Sequence, residues 1–208
     1  MNKIYFLLLA LCLITGSAKA QNDPAKKILD AVTAKLKTYK GINAGFTLLS
    51  RSRSGKINNN VTGKTSIKGN KYYIKEGGTE IFSDGSKIWN YNGNDEVTVT
   101  SADEDDQALT PQKLLTGFYD KDFTYKLISS TGKYNEIQLA PVDKRKNFQK
   151  INVFVDKSKM LITKAKVVDK SSNTITINLK NINTSANIAD DTFVFDQKKY
   201  NRNIEVIE

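Results

Sequence analysis

The hydrophobic positions of this chain change period at Gly41. Before it, Ile28, Leu29, Val32, Leu36 and Tyr39 recur at helical spacing, while Lys26, Lys27, Asp30, Lys35 and Lys37 fall on the opposite side. That pattern predicts an amphipathic helix with one face to bury. Asp23 is a good N-cap and Pro24 fits the first helical position, so the helix starts there and ends at Gly41. Beyond Gly41 the period falls to two. Ile42, Ala44, Phe46 and Leu48 share one face of a strand that runs into the polar turn Arg51-Ser52-Arg53-Ser54-Gly55. Further strands are expected at 60–68, 71–76 (with Ile74 inward), 79–83, 87–91 and 96–100. Their separators, Gly69-Asn70, Gly77-Gly78, Asp84-Gly85 and Asn92-Gly93, suit antiparallel hairpins and are too short for parallel crossovers.

The stretch 101–120 interrupts the meander. It contains the acidic run Asp103-Glu104-Asp105-Asp106, then Thr110-Pro111 opening a short helix with Leu114, Leu115 and Phe118 on one side. Strands resume at 122–129, 134–140, 148–155, 160–168 and 174–180. In these, Ile151, Val153 and Val155 alternate with Lys150, Asn152 and Phe154, and Ile175, Ile177 and Leu179 alternate with threonine and asparagine. Phe193-Val194-Phe195 reads as a last short strand, and Ile204 and Val206 alternate with charge in the tail. So many short antiparallel strands with two amphipathic helices predict a mainly β, α+β fold. The expected form is a strongly curved antiparallel sheet or unclosed barrel whose concave side the helices cover.

The N-terminus adds a location. Lys3, an apolar run from Ile4 to Ile14, and Ala18-Lys19-Ala20 have the make-up of a secretory signal over 1–20, leaving 21–208 as a single exported domain. The apolar run falls short of the roughly 20 residues that a spanning helix needs. The chain's one cysteine, Cys12, lies in this leader, and the preceding Leu9-Ala10-Leu11 puts a bulky residue, Leu11, where a lipoprotein signal wants a small one. With no histidine anywhere and no cysteine after cleavage, disulfides, thiol chemistry and the common zinc sites are excluded. Ser130 and Lys133 have Ser-x-x-Lys spacing, but they fall in a turn between strands rather than one helical turn apart. The acidic run lacks the spaced ligands and central glycine of a calcium loop and reads as a solvated loop. No enzyme activity and no cofactor are expected.

The formal charge is +10, reduced by two when Lys3 and Lys19 leave with the signal. Lysines recur on nearly every predicted strand with acids among them, so nucleic acid is not an expected partner. A solvated basic surface is the simpler reading, ahead of a docking surface for anionic lipid or an acidic partner.

Particular residues then point to a family. The turn Ser83-Asp84-Gly85 leads into a strand with Trp89 and Tyr91. Ala44-Gly45-Phe46-Thr47 opens the first strand, Gly63 stands before the next strand, and Thr110-Pro111, Leu139-Ala140-Pro141 and Phe193-Val194-Phe195 follow in order. In this order they resemble the LolA-like outer-membrane lipoprotein carriers over most of the mature chain. The resemblance implies an apolar cavity for acyl chains, acylated lipoproteins as cargo, an inner-membrane lipoprotein-releasing ABC transporter as donor, an outer-membrane acceptor, and a monomer. Candidate cavity and lid residues are Ile28, Leu29, Val32, Leu36, Phe46, Leu48, Ile74, Trp89, Tyr91, Leu114, Leu115, Phe118, Ile151 and Val153. Two rivals are a related module that carries or senses other lipids or lipoproteins, and a non-catalytic envelope interaction protein with a filled core. One departure stands out: family members carry Arg-Pro, linked to lid closure and cargo release, where this chain has Lys68-Gly69-Asn70-Lys71. That role passes to neither lysine. Gln112 and Lys113 likewise replace apolar residues common in the family.

Overall fold

A computed structural model of the protein describes residues 23–102, 110–117, 122–200 and 203–208. The predicted signal, Cys12, the acidic run 103–106 and Phe118 lie outside the described residues. Helix α1, Pro24–Leu36, begins as expected: the Asp23 carboxylate accepts the Ala25 N–H at 2.8 Å. It ends sooner than expected, because the Thr38 and Tyr39 N–H groups turn back to the Lys35 and Leu36 carbonyls. Ala25, Leu29, Val32 and Leu36 are buried, and Ile28 is half-buried beside them.

Among the described residues twelve strands follow: β1 (Ile42–Arg51), β2 (Ile57–Lys68), β3 (Lys71–Glu76), β4 (Thr79–Ser83), β5 (Lys87–Tyr91), β6 (Glu96–Ser101), β7 (Phe123–Ser129), β8 (Tyr134–Pro141), β9 (Phe148–Asp156), β10 (Leu161–Asp169), β11 (Thr174–Asn183) and β12 (Glu205–Ile207). They form one curved, unclosed sheet in the order β12-β6-β5-β4-β3-β2-β1-β11-β10-β9-β8-β7. Two meanders, β1–β6 and β7–β11, are joined where β1 pairs antiparallel with β11. The tail strand β12 adds to β6 in parallel. Helix α2, Pro111–Leu114, lies between the meanders in sequence and packs on β2 and β10, whereas α1 packs on β7 and β10.

Because side chains alternate across a strand, the pairing register assigns each residue to a face. The inner, helix-bearing face carries Ile42, Ala44, Phe46 and Ile67 with Ile137, Leu139, Ile151, Val153, Val155, Ala165 and Ile177, and these pack with α1 and α2 as the main core. Gly63 is built into this face: a Cβ there would collide with the Phe46 ring and the Lys75 carbonyl. Ile175, expected to be inward with Ile177, is 39% exposed near the end of β11.

The outer face of β3–β6 is covered too, by residues 184–200 running back across it as a strap and by Ile204 beyond them. Ala186, Ile188 and Phe193 close over Tyr73, while Ile204, Phe195 and Tyr200 pack on Trp89, Tyr91 and Val97. Phe193-Val194-Phe195 is therefore not a strand. Asp190–Phe193 forms a 3-10 turn that drops Phe193, fully buried, onto the sheet. The edge beside β6 is taken by β12.

Candidate functional site

Neither α1 nor α2 packs extensively on the inner face of β3–β6, and a cleft of about 650 Å³ opens there. Tyr72, Ser83 and Ile88 form its strand wall, and Gln112, Lys113 and Thr116 its opposite side. At one end the β2–β3 and β4–β5 turns meet. Gly85, at φ +93°, sits so close to the Asn70 side chain that any other residue would displace it. That gives the Ser83-Asp84-Gly85 turn a physical reason: Asp84 accepts the Ser86 and Lys87 N–H groups, both at 2.8 Å, and Gly85 lets the turn lie against its neighbour. Those two backbone donors, the Lys87 one foremost, hold the Asp84 carboxyl below its ordinary range.

A second cleft of about 270 Å³ shares Gly69 and Thr116 with the first and is bounded by Leu36, Tyr39, Ile42, Ile67 and Leu115. A third, also about 270 Å³, shares Thr116 and Lys37 with the second and reaches Leu29, Thr33 and Tyr125. Residues 115–117, the turn after α2, thus stand where all three hollows meet. α2 is anchored by buried Pro111, Leu114 and Leu115. Its polar side is less well satisfied. Gln112 is 4% exposed and, among the described residues, its Oε1 has no hydrogen-bond partner, nor have the buried hydroxyls of Thr110 and of Thr65 on β2. Each such group costs about 1–3 kcal/mol, so α2 is a weakly held wall between spaces that can accept a guest.

The predicted site residues divide into four sets. Leu36 and Leu115 line the second cleft and Leu29 the third. Val32, Phe46, Ile74, Leu114, Ile151 and Val153 are packed within the main core, with Ile28 and Leu48 half-buried at its margin. Trp89 and Tyr91 lie on the outer face under the strap, across the sheet from the clefts. Phe118 falls outside the described residues. Tyr72, Ser83, Ile88 and Gln112 were missed as cleft residues. Period two separates Ile88 from Trp89 and Tyr91, which was a signal available in the sequence.

Lys68 and Lys71, which stand in place of the family's Arg-Pro, also face outward. Both Nζ atoms bind Asp190 of the strap at 3.1 Å, and Lys68 donates to the Ile188 carbonyl. The Lys68 ammonium, then the Lys71 ammonium, holds the Asp190 carboxyl below its usual range. Nearby, Glu80 accepts from Tyr73 Oη at 2.5 Å and from Lys75 Nζ at 2.8 Å. Burial, then Glu80, pushes the Tyr73 phenol up, and burial together with Glu80 pushes that of Tyr200 to about 12. This polar knot pins the strap. Among the described residues no group of three acids, histidines or cysteines gathers as a metal site, and no helix is long and apolar enough to cross a membrane.

An unclosed sheet with short helices on its inner face and connected hollows beside them defines a protein built to enclose a guest. The chain belongs to the family of the outer membrane lipoprotein carrier protein LolA, whose sequence model matches residues 37–196. No curated protein matches it. Among solved structures it is similar to a LolA-superfamily protein of Nitrosomonas europaea, at 14% identity and TM-score 0.46, covering 82% of this chain and 97% of that one. It is also similar to the lipoprotein LppX of Mycobacterium tuberculosis, at 10% identity and TM-score 0.44, covering 79% and 99%. A third is a lipoprotein-sorting protein domain of Vibrio parahaemolyticus, at 10% identity and TM-score 0.42, covering 81% and 97%. Membership of the family supports a lipid- or lipoprotein-binding, carrier-type role in the cell envelope.

Proposed function

We propose that this protein is a periplasmic, non-catalytic carrier that shields the acyl chains of lipoproteins and moves them from the inner to the outer membrane. The observation that carries the reading is the set of adjoining clefts around residues 115–117, in a chain that the family model covers over 37–196. The larger cleft falls in the size range of ligand sites. Acyl chains suit such a site because each buried methylene contributes about 0.8 kcal/mol and needs no directed partner. Ile88, Tyr72, Ile67 and Leu115 would take the chains, and the Gln112 Oε1, unpartnered among the described residues, would face the polar end of the cargo. An inner-membrane ABC transporter would load the protein, and an outer-membrane acceptor would unload it.

Titration with a fluorescent acyl probe tests the reading. Saturable binding is expected, weakened at least tenfold by Ile88→Asp, because a buried carboxylate would face the chain. Failure of the folded protein to bind any acyl probe would count against it. Mass spectrometry of lipid carried by protein from its native periplasm then identifies the cargo.

A further inference from the structure

The outer face of the sheet divides in two. Over β3–β6 it lies under the strap, whereas the described apolar clusters of that face leave β7–β11, β1 and β2 out. Besides Lys68, which is engaged with the strap, the register places six lysines on this second part: Lys64 on β2, Lys126 on β7, Lys150 on β9, Lys164 and Lys166 on β10, and Lys180 on β11. Lys126, Gln138, Asn152 and Lys166 face one another across four strands, as do Lys180, Gly45 and Lys64 across three. Gly45 has no side chain, so the Lys180 stem can lie across β1. Five of the six are exposed and Lys164 is half-buried. Among the described residues, none of them pairs with a carboxylate. The acids within this area are occupied: Glu136 accepts from Asn152 at 2.7 Å, and the Asp156 side chain is 2% exposed and bridged to Lys133. Beside them Phe154 and Tyr134 meet edge to face around a hollow of about 410 Å³, with Lys164 over one ring and Lys133 over the other.

We propose that this open outer face docks the protein onto bilayers rich in anionic phospholipid. The lysines are spread over seven adjacent strands, roughly 30 Å across at the usual strand spacing, rather than gathered in one line as a nucleic-acid backbone would want. Lysine is a mobile point charge on an apolar stem, which suits a fluid layer of phosphates better than a fixed set of partner carboxylates. The aromatic pair fits the headgroup boundary. Docked this way, the inner-face clefts open away from the bilayer, so a guest is presented to a protein partner rather than returned to lipid. The inference stands apart from the identity of that guest.

Sedimentation of the mature chain with vesicles tests it. Binding is expected to phosphatidylcholine vesicles containing phosphatidylglycerol, not to phosphatidylcholine alone, and is lost at about 0.5 M salt as the charges are screened. Each lysine removed should weaken binding about fivefold, so the triple variant Lys150→Gln, Lys166→Gln, Lys180→Gln loses roughly a hundredfold. Lys27→Gln, Lys35→Gln, Lys40→Gln removes equal charge on or beside α1 and should change binding only a few-fold. Melting checks that both triples are folded, and Lys166→Gln alone gives the graded loss if the first triple is not. Acyl-probe affinity should be unchanged in the outer-face triple, which separates this inference from the cargo reading. Equal loss in the two triples, or equal binding to both vesicle types, overturns it. So does Lys150-dependent binding of duplex DNA or polyglutamate without vesicle binding.

Discussion

Trp89 shows how a single residue can be legible in its element and hidden in its role. The alternation of Ile88, Trp89, Tyr91 separates two faces of β5, but the sequence shows no inside, because the strap makes both faces of this part of the sheet apolar. Ile88 fell to the cleft and Trp89 to the second core. Trp89→Ala should therefore cost about 3 kcal/mol in melting or denaturant titration, the low end for such a truncation because the ring is half-buried, while acyl-probe affinity in the folded fraction stays unchanged. Weakened binding in a protein of native stability would return Trp89 to the site. Asp156 is a second residue whose role only the fold reveals. It accepts from the Ser158 hydroxyl at 2.7 Å and from the Ser158 and Lys159 N–H groups, with Lys133 at 3.3 Å. These contacts, the Ser158 hydroxyl first, lower its carboxyl from 3.8 to about 2. A depressed carboxyl stabilises the fold above its unfolded value and loses that contribution as pH falls through the folded one. Asp156→Asn should thus cost about 2 kcal/mol at neutral pH, and the gap to the parent protein should close between pH 4 and 2. A gap independent of pH would assign the loss to packing instead.

At the scale of elements, hairpin chemistry was the reliable signal. Gly69, Gly77, Gly85 and Gly93 each adopt positive φ in the predicted turns, and the strands between them fall where the pattern put them. What failed was Phe193-Val194-Phe195, where alternation alone implied a strand but Lys68 and Lys71 clamp Asp190 and fix a turn. α2 was legible from Thr110-Pro111, yet nothing in the sequence showed that its Gln112 would be buried without a partner. Because α1 is seated by four buried residues and α2 carries polar groups unsatisfied among the described residues, α2 is the element expected to yield to a guest. Amide exchange should be faster at Leu115, Thr116 and Gly117 than across Leu29–Leu36, and acyl probe should slow it. Uniform protection in both segments, unchanged by probe, would mean that the wall is fixed.

For the whole molecule, the sequence announced a long antiparallel array but not its order, since only neighbouring hairpins leave a local trace. The seam at β1 and β11 joins partners as far apart as Asn43 and Asn183. The strap was equally invisible, because its turns and isolated aromatics have no period. That seam has a consequence for how the chain acquires its shape. Each meander can zip up from one tight turn to the next, closing short loops at little entropic cost, whereas the seam must draw together segments separated by most of the chain. The slow step of folding is accordingly the docking of two nearly finished halves. Until it happens, β1 and β11 each expose a bare ladder of backbone donors and acceptors, the opening through which two newly made copies would exchange halves or aggregate.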